Sequence, residues 1–254
     1  MLEIDRIHQG DCLELMPLIP DKSIDMILCD LPYGTTLCKW DNIIPFENLW
    51  NNYKRIIKDN GAIVLNCQQP FTSFLIVSGI DIFRYTWCWD KNYHPNYMNA
   101  NKMHTKAFED IAVFYKKQPI YNPQKFQGIP YVCTKLPPKR KRIVSEVYGD
   151  KPNSIGKDVS DGMRTPNGII KISGRSNKNV HPTQKPVALY EYLIKTYTNE
   201  GALVLDNCIG SGTTAIACIN TNRHFIGIEK EQKYVDIANK RIKETPIPLE
   251  KFIG

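Results

Sequence analysis

The residues with the clearest chemical content form the stretch Asp30-Leu31-Pro32-Tyr33-Gly34. It follows the apolar run Ile24-Asp25-Met26-Ile27-Leu28-Cys29, which reads as a short buried strand. Proline removes a backbone donor and fixes φ, and glycine permits a tight path, so the chain must turn sharply here. The turn presents a carboxylate, free backbone carbonyls and an aromatic face at the carboxyl end of a strand. In open α/β sheets that end is where ligands bind.

A second constellation lies near the other end of the chain. The apolar segment Ala202 to Leu205 reads as a buried strand, followed by Asp206-Asn207-Cys208-Ile209 and the turn Gly210-Ser211-Gly212-Thr213-Thr214-Ala215. The turn matches G-x-G-x-x-A, so a dinucleotide is the first ligand to consider. Glu229 falls 19 residues after Gly210, at the end of the next apolar segment, where an acid can grip ribose hydroxyls. Asp206 argues against a dinucleotide. A carboxylate at the mouth of the glycine turn repels a pyrophosphate but suits an ammonium and a sulfonium. S-adenosylmethionine (SAM) is therefore the expected cofactor, rather than NAD, and the chain shows no residues arranged for hydride transfer.

The elements that must position these groups alternate between strand and helix. Arg6 to Asp11 reads as extended, and Cys12 to Leu18 as a helical turn or two. Pro45 to Lys58 is amphipathic, with Phe46, Leu49, Trp50, Tyr53, Ile56 and Ile57 at helical spacing, and Asn60-Gly61 is expected to close it. Ala62 to Cys67, Phe83 to Trp89 and Ile111 to Tyr115 read as strands, with a helix from Phe71 to Val77. Helices are expected from Pro186 to Tyr197, from the glycine turn to Asn220, and from Glu231 to Ile242, with a strand from Phe225 to Glu229. The alternation predicts an α/β fold with a doubly wound, mostly parallel Rossmann-like sheet. Residues 116–180 break the pattern. They are rich in Pro, Gly, Lys, Arg, Asn and Ser, and read as an inserted, loop-rich region between a first half, 1–115, and a second half, 181–254.

Composition narrows the partners. Of 254 residues, 42% are hydrophobic and 23% charged, as in ordinary globular proteins. No apolar run reaches the ~18 residues that a membrane span needs, and the acidic N-terminus lacks a signal-peptide layout. A cytoplasmic location is the default expectation. The eight cysteines form no C-x-x-C pair and no Cys/His cluster, so reduced core thiols are expected and no metal. The net charge of +7 is uneven. Residues 115–185 hold fifteen Lys/Arg against four Asp/Glu, whereas the remainder holds 18 against 22. A basic block in a mildly acidic chain is the footprint of a polyanion.

Asp30-Leu31-Pro32-Tyr33 resembles the Asp-Pro-Pro-Tyr motif of the DNA amino-methyltransferases, which modify exocyclic nitrogens of adenine or cytosine. His181 to Pro186, Asp206 to Thr214 and Phe225 to Glu229 resemble that family's cofactor motifs. Their order, catalytic motif first, resembles the family's β group, and Gly10-Asp11-Cys12 fits it. The likeness covers roughly residues 5–115 and 181–243. Leu31 stands where proline is usual, and Asn207 and Cys208 replace the commoner proline and phenylalanine.

The resemblance implies a site. Asp30 and the backbone carbonyl of Leu31 would accept the two N–H bonds of the target amine, with Pro32 shaping the turn and Tyr33 stacking on a base flipped out of the duplex. Asp11, Cys12, Asp30, Lys185, Asp206, Cys208, Gly210, Ser211, Gly212, Thr213 and Glu229 would hold SAM. Lys39, Trp40, Lys91 and the run Lys139-Arg140-Lys141-Arg142 would meet DNA, with Lys91 bordering the base pocket and residues 116–180 reading the target. Aspartate at the motif's first position points to adenine N6. Cytosine N4, and a catalytically silent DNA-binding protein of the same fold, are the alternatives. A homodimer is left open.

Overall fold

The computed structural model describes residues 2–35, 41–92, 100–132, 159–174 and 184–246. Among the described residues, twelve strands and six α-helices follow in chain order. They are β1 (Arg6–Gln9), α1 (Cys12–Leu15), β2 (Ile24–Asp30), α2 (Phe46–Ile56), β3 (Ile57–Cys67), α3 (Phe71–Ser78), β4 (Phe83–Asp90) and β5 (Phe108–Phe114). The middle of the chain supplies the short strands β6 (Phe126–Gln127), β7 (Tyr131–Val132), β8 (Val159–Ser160), β9 (Met163–Arg164) and β10 (Ile169–Lys171). Then come α4 (Val187–Tyr197), β11 (Leu203–Asp206), α5 (Thr213–Asn220), β12 (His224–Glu229) and α6 (Gln232–Glu244).

Eight strands form one sheet in the order β1-β12-β11-β2-β3-β5-β4-β10. Its pairs are parallel except those of β5, which runs antiparallel to β3 and β4. Both faces are covered, as a near-continuous apolar strand such as β2 demands. Ile27 and Cys29 face Leu49, Tyr53 and Phe71 of α2 and α3. Met26 and Leu28 face Leu189, Tyr190 and Ala215 of α4 and α5. The chain winds outward in opposite directions from β2 and β11, which are neighbours. Their carboxyl ends, Asp30 and Asp206, therefore flank the switch point where such sheets bind ligands.

Two boundaries differ from expectation. Asn60-Gly61 does not close α2: the helix ends at Ile56 and residues 57–61 already belong to β3. A Cβ at Gly61 would meet the Asp25 carbonyl oxygen at 2.8 Å, so this glycine serves close strand approach where β2 and β3 shift register. The loop-rich region is also narrower than 116–180. Residues 123–166 form a unit of their own, carrying β6 paired with β9 and β7 paired with β8. β10 instead extends the main sheet beside β4. Three residues could not announce themselves as sheet without the Cys88–Asp90 edge on which they pair.

Candidate active site

The carboxyl ends of β1, β2, β11 and β12 open onto a cavity of about 580 Å³. β2 delivers Asp30, and the chain then leaves the sheet. Gly34 takes φ +67°, which a side chain would resist. Asp41 holds this turn, accepting from the amides of Gly34 at 2.8 Å and Thr35 at 2.9 Å. Leu31 buries its side chain in the core among residues facing α2 and α3. The departure from proline thus adds packing beneath the turn, and leucine, like proline, still carries a backbone carbonyl at this position.

Asp30 is engaged on both oxygens. Tyr33 donates its hydroxyl to Oδ1 at 2.5 Å, and Lys185 Nζ lies 2.8 Å from Oδ2. The Tyr33 ring rests on Phe71, with centroids 5.1 Å apart. Burial, reinforced by the Asp30 charge, pushes the Tyr33 phenol well above its usual range. Lys185 precedes α4 and also reaches Glu109 Oε2 at 3.2 Å. Burial alone would lower its pKa, but Asp30 and Glu109 outweigh that and hold the ammonium charged above the ordinary lysine value.

The second half of the cavity is built by the glycine turn between β11 and α5. Asp206 is buried; Thr214 donates to its Oδ2 and the Cys208 amide to Oδ1 at 3.1 Å. Burial is the largest influence on this carboxyl and pushes it up to about 7. Glu229 accepts from the amides of Gly210 and Glu231, each at 2.9 Å, and burial raises it too. Asp11 caps α1 through the Leu13 amide at 2.9 Å and meets Lys230 at 3.1 Å. The Leu13 amide is the main reason its carboxyl stands below the usual range. Cys12 and Cys208 line the wall, and Tyr53 donates to Asn207 Oδ1 at 2.5 Å from behind it. The six described cysteines are free thiols, and no metal-ligating cluster occurs among the described residues. No described helix is long and apolar enough to cross a membrane.

Gly212 shows why the turn needs glycine. It takes φ +83°, and a Cβ would lie 2.9 Å from the Ala238 Cβ of α6. Gly212→Ala is expected to cost about 1–2 kcal/mol in backbone conformation alone, plus the displacement of α6. Thermal unfolding should show the loss. Ala238→Gly added to Gly212→Ala should recover the steric part only; full recovery would mean the backbone conformation is not strained.

These features suit an adenosyl sulfonium ligand. The volume is adequate. Asp206 and Glu229 line it with carboxyl groups, and the glycine turn allows close approach. The geometry also matches known proteins. The model of the N6/N4 methyltransferase family, described as DNA methylase, matches residues 24–240. The chain belongs to this DNA methylase family. It is 29% identical to the type II methyltransferase M1.MboII of Moraxella bovis, over 94% of this chain and 96% of that protein. It is 27% identical to M.HpaI of Haemophilus parainfluenzae, over 93% of this chain and 74% of that one. The crystal structure of the M1.HpyAVI–SAM complex superimposes with a TM-score of 0.61 and 25% identity, covering 93% of this chain and 98% of that chain. The PvuII cytosine-N4-specific methyltransferase shares the fold, with a TM-score of 0.66 at 18% identity, over 96% of this chain and 88% of that one.

Within this methylase, the expected residues fall into three groups. Asp30, Leu31, Pro32 and Tyr33 line the cavity, as do Asp11, Cys12, Lys185, Asp206 and Cys208. Gly210, Ser211, Thr213 and Glu229 do so too, while Gly212 backs onto α6. Lys91 borders the cavity as expected, but its side chain is buried against Glu109 at 2.5 Å. Its ammonium is thus withdrawn from the surface and does not suit a phosphate contact. Lys39, Trp40, Lys139, Arg140, Lys141, Arg142 and His181 lie outside the described residues. Sequence reading missed Glu109, Asp41 and Tyr190. Glu109 stood outside the expected strand 111–115, and β5, being reversed, brings its start to the ligand edge.

Proposed function

We propose that this methylase transfers a methyl group from SAM to the N6 amine of adenine within a specific DNA sequence. The observation that carries the reading is the placing of Asp30 and Tyr33 beside the same cavity that Asp206, Glu229 and the glycine turn enclose. When bound, SAM supplies an electrophilic methyl group on a positively charged sulfur. The residues do the rest. An adenine N6 lone pair is delocalised into the ring and is a poor nucleophile. Asp30 and the Leu31 carbonyl accept its two N–H bonds, which favours a pyramidal nitrogen with its lone pair free for in-line attack. The proton leaves to Asp30 or to solvent. Tyr33 gives the base an aromatic face, and the base must leave the helical stack to reach it. Asp206 and Glu229 bind and orient the donor, the first by charge and the second through ribose hydroxyls.

Nucleoside mass spectrometry of DNA incubated with the protein and SAM tests the reading. N6-methyladenine is the expected product. N4-methylcytosine without it would overturn the choice of base, and neither product with intact SAM binding would indicate a silent DNA-binding protein.

Target reading belongs in this proposal to the loop-rich region, where Lys139 to Arg142 meet phosphates rather than base edges. Neutralising these four residues should weaken binding to all duplexes alike. The slope of log K against log salt should fall by about 3–4. Loss of binding at one sequence only would contradict this assignment.

A further inference from the structure

Four side chains of alternating sign form a succession of ion pairs that ends on Asp30. Lys91 Nζ is 2.5 Å from Glu109 Oε1, Glu109 Oε2 is 3.2 Å from Lys185 Nζ, and Lys185 Nζ is 2.8 Å from Asp30 Oδ2. Lys91, Glu109 and Lys185 are only 7%, 9% and 8% exposed. Taking such groups out of water costs several kcal/mol each before pairing, and apolar residues of similar volume often serve stability as well or better. A buried row of charges that ends on the catalytic carboxylate therefore calls for a role beyond packing.

We propose that Glu109 is a positioning residue for methyl transfer, acting on Asp30 through Lys185. The proposal rests on the reading of Asp30 as acceptor for the target amine. Lys185 stands between two carboxylates on different strands, β2 and β5. With Asp30 alone as partner, the flexible four-carbon stem of lysine could follow the carboxylate through many geometries. Glu109 Oε2 meets the ammonium from β5 as an ion pair at 3.2 Å and Lys91 pairs with Glu109 Oε1 in turn, so the ammonium beside Asp30 Oδ2 is restrained from a second strand. The Lys185 side of this link is an ion pair in which Oε2 accepts no hydrogen bond, and its charge still counts: burial pushes the Glu109 carboxyl up, but Lys185 and Lys91 outweigh it and bring it below the usual range. Fixing an acceptor in this way matters because attack requires the nitrogen lone pair to be aimed along one line.

The test is a two-residue cycle in single-turnover methyl transfer, using the full chain, labelled SAM and unmodified genomic DNA. Glu109→Gln keeps the shape and removes the charge. It should lower the single-turnover rate constant about 10- to 100-fold, with the DNA concentration giving half the maximal rate unchanged within twofold. In a Lys185→Met background the same change should alter the rate less than about twofold, because the link to Asp30 is already cut. Equal factors in both backgrounds, or no loss in the single variant, would overturn the inference. If Glu109→Gln does not fold, the cycle is run with Lys91→Met and Glu109→Gln together, which removes one charge of each sign and leaves Lys185 with Asp30. The same comparison then decides. Wild-type protein that transfers no methyl group would instead defeat the functional reading on which the inference rests.

Discussion

Asp30→Ala is expected to abolish measurable methyl transfer while leaving a folded protein that binds SAM. Losing a preorganised partner of the reacting group costs about 10²–10³-fold in kcat, and here the loss compounds, since Asp30 both accepts the amine and serves as a proton sink. The fold survives for a specific reason. Breaking a buried pair is severe when it strands a charge, but Lys185 keeps Glu109 at 3.2 Å. Tyr33 loses one hydrogen bond but keeps its ring packed on Phe71. Calorimetry with SAM and single-turnover transfer on the same preparation separate the two functions. Turnover at the wild-type rate would refute the acceptor role, and loss of SAM binding would show that Asp30 mainly builds the cofactor site.

Asp206 makes the second large prediction, and it is one of pH. Its carboxyl titrates near about 7 in the folded protein against 3.8 ordinarily, because burial opposes the charge. Between those values the folded chain keeps a proton that the unfolded chain has released. The linkage relation then makes stability fall as pH rises through that window, and level off above about 7. The difference corresponds to something on the order of 4 kcal/mol. Asp206→Asn should therefore raise the melting temperature of the ligand-free protein at pH 8 by several degrees. It should also remove the charge that receives the cofactor's ammonium. For the wild type, a cationic ligand prefers the ionised carboxylate, so the Kd for SAM should rise about tenfold for each unit that the pH is lowered below neutrality, and stay level above it. Calorimetric titrations from pH 5.5 to 8.5 check this. A Kd independent of pH would mean that Asp206 stays ionised in the free protein or does not face the charge.

These two carboxylates illustrate what could be read early. Asp30 and Asp206 each follow an apolar run and precede a turn, and both were recognisable because strand, carboxylate and glycine are neighbours in the chain. Glu109 had no such neighbourhood. Its importance comes from Lys91, on the adjoining strand end, and Lys185, 76 residues further on. Local patterns cannot report a contact between distant segments. Asp41 was missed for a related reason: nothing in a polar loop marks which carboxylate will accept from Gly34 and Thr35.

By itself the sequence determined the α/β class, the sharp turn at Asp30 to Gly34 and the glycine turn at Asp206 to Thr214 that both line the cavity, and the concentration of positive charge between them. Those features are local, set by apolar periodicity, by proline and glycine conformation, and by the charge of side chains close in sequence. Only the tertiary structure decided how the pieces act together. The β2–β11 pairing set the two carboxylates on either side of one cavity, and the reversal of β5 brought Glu109 to the same edge. It also buried the Lys91 ammonium, at the border of the cavity, as the end of an ion-pair row leading to Asp30. Strand order and direction govern such meetings, and they follow from the packing of the whole sheet rather than from any segment of it.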